Sequence, residues 1–255
     1  LWGFTFRKYQ LDNYNISSRI ATKRDLRKFT KTHWPVQIKR YFETYQNSKV
    51  YYKRLVYNES QSSYDNNFFN ASQNTLLIGY WQSEKYFKKI AEILKKEFQV
   101  CAPLIGINKQ IAETICLTNS ISVHVRRGDY INSKRTNQIH GVLPKDYYLN
   151  SILYMNAKIY ETHFFIFSDD PEWAKANIKT DFPTVFVTHN GPEKDYEDLR
   201  LMSLCKHNIL SNSSFSWWGA WLNNNTDKIV IAPKKWFQSE IYNSIDLLPK
   251  NWVQL

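Results

Sequence analysis

Short apolar runs alternate with helix-period segments along most of this chain. Residues 121–125, 162–167, 184–187, 208–210 and 228–232 read as strands, and residues 144–158, 172–177, 196–204 and 215–222 read as the helices between them. Strand and helix in alternation predict an α/β domain whose parallel sheet is covered by helices. Upstream, LLIGY (76–80) reads as a strand. Ser83 then reads as the N-cap of a helix with Tyr86, Phe87, Ile90, Ile93, Leu94 and Phe98 on one face. Lys88, Lys89, Lys95 and Lys96 take the other face, which reads as solvated rather than membrane-docked. Residues 107–117 form another helical candidate, and the polar stretch QSSYDNNFFNASQN (61–74) reads as a loop. Ligands of parallel helix-covered sheets sit at the carboxyl ends of the strands, so chemistry is expected there.

Composition narrows the class. The chain has 255 residues, 43% hydrophobic and 22% charged, which suits one large or two small globular domains and excludes disorder as the main state. Seven glycines leave little room for a glycine-rich phosphate cradle. Cys101, Cys116 and Cys205 are odd in number and widely spaced, which argues against a disulfide framework or zinc site and for a reducing compartment. No apolar run approaches the ~20 residues of a membrane helix, and the opening LWGFTFRKYQ has no hydrophobic signal core. Lys and Arg number 34 against 23 Asp and Glu, for a net charge of +11. That balance fits an anionic partner or simply a solvated basic surface. With aromatics interleaved among cations, as in YYKR (51–54), it also motivates a rival reading, a nucleic-acid-binding protein with steeply salt-dependent affinity.

The strand ends carry the candidate chemistry. Residues 121–125 run into HVRRGDY (124–130), where two adjacent arginines follow a buried strand. Planar guanidinium groups can clamp a diphosphate; alternatively Arg126 or Arg127 pairs internally with Asp129. Period-two alternation sends the two arginines to opposite faces, so they need not share a job. The next strand ends in FSDDP (167–171). Here Asp170 as N-cap with Pro171 at the first helical position competes with a carboxylate that accepts two N–H donors from a guanine edge. SNSSFSWWG (211–219) sets hydroxyl and amide side chains at a strand-to-helix turn, an anion site that needs no glycine loop. Capping by Ser213 or Ser214 would account for one serine, and Trp217 and Trp218 read as core. His189 reads as structural, and Asp195, Glu197 and Asp198 suit the start of a helix. No Asp-x-Asp, H-E-x-x-H or P-loop pattern is present, and no metal site is expected.

Three blocks together resemble the alpha-1,2-fucosyltransferase family: HVRRGDY (124–130), FIFSDDPEW (165–173) and DYEDLRLMSLCKHNILSNSSFSWWGAWLN (195–223). GYWQSEKYF (79–87) and HGVLPKDYY (140–148) match in kind and order, so the resemblance runs from about Gly79 to the end. It implies a GT-B-like enzyme with two Rossmann-like domains facing a cleft: residues 1–118 on the acceptor side and 119–255 binding GDP-fucose. The implied reaction moves L-fucose from GDP-fucose to the 2-hydroxyl of a terminal galactose, with inversion and without a metal or other cofactor. Arg126 and Arg127 would neutralise the departing GDP, His124 and Asp129 would shape the turn, and Asp169 or Asp170 would read the guanine. Ser213, Ser214 and Phe215 would line the phosphate and sugar site, with Asp198 and Asn212 also among the donor contacts. Asp129 is nominated as general base. The implied acceptor is a galactose-terminated oligosaccharide or lipid-linked glycan and the implied place is the bacterial cytoplasm, where a basic surface suits peripheral contact with anionic lipid of the inner membrane. Members open with a Gly-rich strand of the GGLGNQ type, and the resemblance places Leu1 after it, with the first domain short of that strand.

Overall fold

The computed structural model describes residues 9–27, 29, 53, 55–59, 63–242 and 244–255. YYKR (51–54) and the start of the polar stretch at 61–62 lie outside the described residues, apart from Lys53. The chain forms two compact units, one comprising Leu1–Ile16, Ala91–Ile241 and Leu248–Leu255, the other Ser17–Ile90 and Tyr242–Leu247.

In the smaller unit a short helix α1 (Lys23–Leu26) starts in a reciprocal cap between Thr22 and Asp25. Strand β1 (Val56–Asn58) pairs in parallel with β2 (Leu76–Ile78). Tyr57, from β1, packs among Phe68 and Trp81, and Tyr86 closes the same aromatic cluster. Among the described residues this two-stranded sheet is all the strand structure of the unit, where a whole Rossmann-like domain was expected.

The larger unit carries α2 (Ala91–Glu97), α3 (Gly106–Leu117), β3 (Asn119–Val125), α4 (Gly128–Asn132), α5 (Lys134–His140) and α6 (Lys145–Lys158). The chain continues through β4 (Thr162–Ser168), α7 (Pro171–Asn177), β5 (Thr184–Val187), α8 (Asp195–Leu204) and β6 (His207–Ile209). Helix α9 (Ser214–Leu222) and strands β7 (Val230–Ala232) and β8 (Val253–Gln254) complete it. The sheet order is β5-β4-β3-β6-β7-β8 and every pairing is parallel. The chain therefore builds outward from β3 in one direction, returns, and builds outward from β6 in the other. The reversal leaves a crevice beyond the ends of β3 and β6, where doubly wound sheets bind ligands.

Alternation along the strands gives each face its core. Ile121, Val123, Val125, Phe164 and Ile166 pack with Tyr148, Ile152 and Met155 of α6 on one side. Phe165 and Phe167 pack with Ile115 of α3 and Leu199, Leu201 and Met202 on the other. On that second side β3 presents Ser120, Ser122 and His124, all buried. Each bonds to a residue in or beside β6. Ser120 Oγ accepts from Lys206 N at 3.1 Å, Ser122 Oγ from Asn208 Nδ2 at 2.7 Å, and His124 Nδ1 lies 2.7 Å from Ser211 Oγ.

Two expectations change. The domain boundary expected at 118/119 falls inside the larger unit, between α3 and β3, because Ala112 and Ile115 bury against the sheet side of α8. The single helix expected after Ser83 is two 3-10 turns, Glu84–Tyr86 and Lys88–Ile90, followed by α2. Its apolar stripe is divided, with Tyr86 packing in the aromatic cluster of the smaller unit and Phe98 stacked 5.0 Å from Trp218 in the larger one. Ile90 and Ile93, expected to be buried, are exposed.

Candidate nucleotide-sugar site

A cavity of about 530 Å³ opens at the crevice, walled by His124, Arg126 and Asp129 after β3 and by Phe167 and Asp169 at the end of β4. Val187 at the end of β5, Asn190 after it, Asp195 and Asp198 of α8 and Phe215 of α9 also line it, with Glu193 and the loop 188–192.

His124 is 4% exposed, and burial, with the charge of Arg126 adding, pushes its pKa down to about 3. It is a neutral imidazole at pH 7, set 5.5 Å from the ring of Phe215. Two residues on, Arg126 continues the same side of the strand. Its guanidinium meets Asp129 Oδ1 at 2.6 Å and Asp169 Oδ2 at 3.1 Å. Arg127 turns the other way, with Nε 3.2 Å from Asp170 Oδ2 and its guanidinium carbon 3.8 Å from the centre of the Trp173 ring. It does not line the cavity. The two arginines thus do different jobs, and it is Arg126 that pairs with Asp129.

The two aspartates after β4 are engaged in building the turn. Asp169 Oδ1 accepts the Arg127 N–H at 2.8 Å and its Oδ2 accepts the Gly128 N–H at 3.1 Å, so one carboxylate holds the start of α4. That close approach requires a glycine, since a Cβ at 128 would come 2.8 Å from Asp169 Oδ2. Asp170 caps α7 through the Trp173 N–H and accepts from Arg127 as well. The capping reading of Asp170 holds, and neither carboxylate is left as a simple acceptor for a base edge.

Asp198, from the first turn of α8, faces the cavity and is in no ion pair among the described residues. Burial pushes its pKa up to about 7 against the opposing Asn190 hydrogen bond of 2.8 Å, while Asp195 and Glu197 push it further up.

At the turn after β6, the residues expected at the donor site divide. Ser213 occupies the N-cap of α9 but makes no side-chain capping bond, and Ser214 is exposed. Of the group only Phe215 lines the cavity. Asn212 is buried, with its amide nitrogen donating to the carbonyls of His140, Gly141 and Trp236. It ties down the loop after α5 instead of facing a ligand. Trp217 is buried and Trp218 packs against the core, as expected. Asn108 and Asn190, which pattern reading passed over, bond one another across 82 residues and connect to Asp198. Among the described residues no three His, Cys, Asp or Glu side chains cluster as metal ligands, and no helix is long and apolar enough to cross a membrane.

The model of glycosyl transferase family 11 matches residues 32–255. The chain belongs to that family. This glycosyl transferase family 11 chain is 42% identical over 185 residues to the alpha-1,2-colitosyltransferase of Escherichia coli, across 70% of this chain and 61% of the relative. It is 38% identical to the O-antigen biosynthesis glycosyltransferase WbnK of Escherichia coli, across 70% and 60%. Against human galactoside alpha-(1,2)-fucosyltransferase 1 the identity is 27%, across 61% of this chain and 45% of the relative. The matches therefore span roughly half to three fifths of these curated relatives. The fucosyltransferase resemblance seen in the motifs is thus that of glycosyl transferase family 11 itself.

Proposed function

We propose that this chain is an inverting glycosyltransferase that takes L-fucose from GDP-fucose and delivers it to the 2-hydroxyl of a terminal galactose in a surface glycan. The observation that carries the reading is Arg126, a largely buried guanidinium on the wall of the cavity at the β3/β6 crevice, beside a helix start that no side chain caps. A departing diphosphate gathers negative charge, and a preorganised guanidinium with free helix-terminal N–H groups lowers the energy of that charge. On donor arrival the diphosphate competes with Asp129 and Asp169 for Arg126. Asp198 then accepts N–H donors from the base edge, taking the role first assigned to Asp169 or Asp170. His124, neutral at the working pH, packs the turn without adding a competing positive charge.

The attacking hydroxyl must lose its proton as it joins C1 of the sugar, and Asp129, half exposed on the cavity wall, is the nominated base. Asp129→Asn retaining near-normal turnover while Arg126→Ala does not would remove Asp129 from that role. The reaction so written uses no metal, so turnover in EDTA should equal turnover without it. A two-domain cleft, a cytoplasmic setting and contact with lipid-linked acceptors at the membrane face belong to the same reading, supported by the O-antigen relative.

A second donor is favoured by one observation, the 42% identity to a protein named alpha-1,2-colitosyltransferase. The deciding experiment offers GDP-fucose and GDP-colitose with galactoside acceptors and determines the product linkage by NMR. Transfer of fucose to the 2-hydroxyl supports the reading; transfer of colitose alone replaces the donor, and a different linkage replaces the acceptor.

A further inference from the structure

Four side chains form a directed line beside the cavity. His189 Nε2 lies 2.7 Å from Asn108 Oδ1, Asn108 Nδ2 donates to Asn190 Oδ1 at 3.0 Å, and Asn190 Nδ2 donates to Asn108 Oδ1 at 2.9 Å and to Asp198 Oδ1 at 2.8 Å. Asn190 and Asp198 face the cavity, whereas Asn108, from the first turn of α3, does not.

The direction is set from the Asp198 end. Whenever Asp198 is ionised it only accepts, so Asn190 then turns its amide N–H groups toward Asp198 and Asn108 and leaves its carbonyl for Asn108 to donate to. Both hydrogens of Asn190 are then engaged, and rotating its amide would set oxygen against oxygen at both contacts. Asn190 alone, on the loop after β5, could rotate; the reciprocal bond to a residue on a helix removes that freedom.

We propose that Asn108 is a positioning residue for donor recognition, which locks Asn190 and through it keeps the Asp198 carboxylate aimed to accept N–H donors from the donor's base. The proposal rests on the reading that Asp198 contacts the nucleotide. It gives the line a purpose that a purely structural pair would lack: Asp198 is half-buried beside Asp195 and Glu197, which together with burial raise its pKa, and the Asn190 N–H partly opposes that rise. The other charged groups lining the cavity are Arg126, Asp129, Asp169 and Glu193, with His124 neutral. Lys109 and Glu113 of the packed helix α3 pair with each other at 4.0 Å.

The test is a double-mutant cycle read by calorimetric titration of GDP, in wild type, Asn108→Ala, Asp198→Asn and the double variant, from about pH 5.5 to about 8.5. Expected is a loss of GDP affinity of about tenfold in Asn108→Ala and more in Asp198→Asn, with the double variant no weaker than Asp198→Asn. Asn108→Ala should also move the pH at which half the affinity is reached upward, because its Asp198 is harder to ionise, and should leave the acceptor KM unchanged. Full additivity of the two losses, or wild-type affinity and pH midpoint in Asn108→Ala, overturns the positioning role. Wild-type affinity in Asp198→Asn instead overturns the underlying reading of Asp198. Should Asn108→Ala not fold, Asn108→Asp serves, since it still accepts from His189 and Asn190 but no longer donates to the Asn190 carbonyl, and the same non-additivity is expected.

Discussion

Arg126 and Arg127 are neighbours with the same charge at the end of the same strand, and they end in different environments. Arg126 follows the polar side of β3, after Ser120, Ser122 and His124, and reaches the cavity wall between two carboxylates. Arg127 follows the apolar side and lies flat on Trp173, itself packed against the core, with Asp170 at its edge. Both guanidinium groups are largely buried, so both need partners; only one has partners that an incoming anion could replace. A pair of arginines after a strand is therefore two statements, one about a ligand and one about a helix, and strand parity assigns them.

The comparison is broken first by removing each arginine in turn. Arg126→Ala should lower GDP affinity about a hundredfold through the loss of two charge-assisted bonds to a diphosphate, and should also cost stability because Asp129 and Asp169 lose their cation. Arg127→Ala should leave affinity within about threefold while costing about 2 kcal/mol of stability through the lost stack and an unpaired Asp170. Calorimetry beside urea unfolding measures both, and equal losses of GDP affinity would end the distinction. Gly128→Ala sharpens it. A methyl 2.8 Å from Asp169 Oδ2 must displace the carboxylate that organises the turn, so a severalfold loss of affinity should come with about 1 kcal/mol of destabilisation.

The last effect is a pH dependence, and it bears on stability alone. The folded pKa of His124, about 3, lies below its ordinary 6.5, so the unfolded chain binds the proton first as pH falls. Its contribution is complete above pH 6.5 and is lost as pH falls from 6.5 toward about 3. Between pH 6.5 and about 5 this amounts to about 2 kcal/mol, which His124→Asn should remove from the difference between urea titrations at the two values.

The central strands were readable because strands buried on both faces are nearly continuous apolar runs, as FFIF at 164–167 illustrates. Strand β8, two residues long, offers no such run. Helices α4 and α5 escaped because residues 128–140 carry no apolar period; they are held by Asp169 on the Arg127 and Gly128 amides and by the Ser133 cap. At the site, the arginine motif and Phe215 were visible as local patterns. The place of Asn212 was not legible because a buried amide that binds carbonyls and one that faces a ligand look alike in a sequence. The Asn108–Asn190 pair has no local signature, since its meaning lies in a contact between residues distant in the chain.

The polar rail between β3 and β6 also governs which sheet can form. A slip of β6 by one residue would turn its side chains to the wrong face, and patterning alone forbids it. A slip by two preserves every inside and outside assignment, and β6 has only three residues with which to resist it. What such a slip cannot preserve is Ser122 opposite Asn208 and His124 opposite Ser211, because buried donors and acceptors would then face methyl groups or one another. The rail thus acts as an alignment key, rejecting mispaired intermediates that hydrophobic collapse would tolerate and setting the arginine turn and the α9 turn side by side before any ligand arrives.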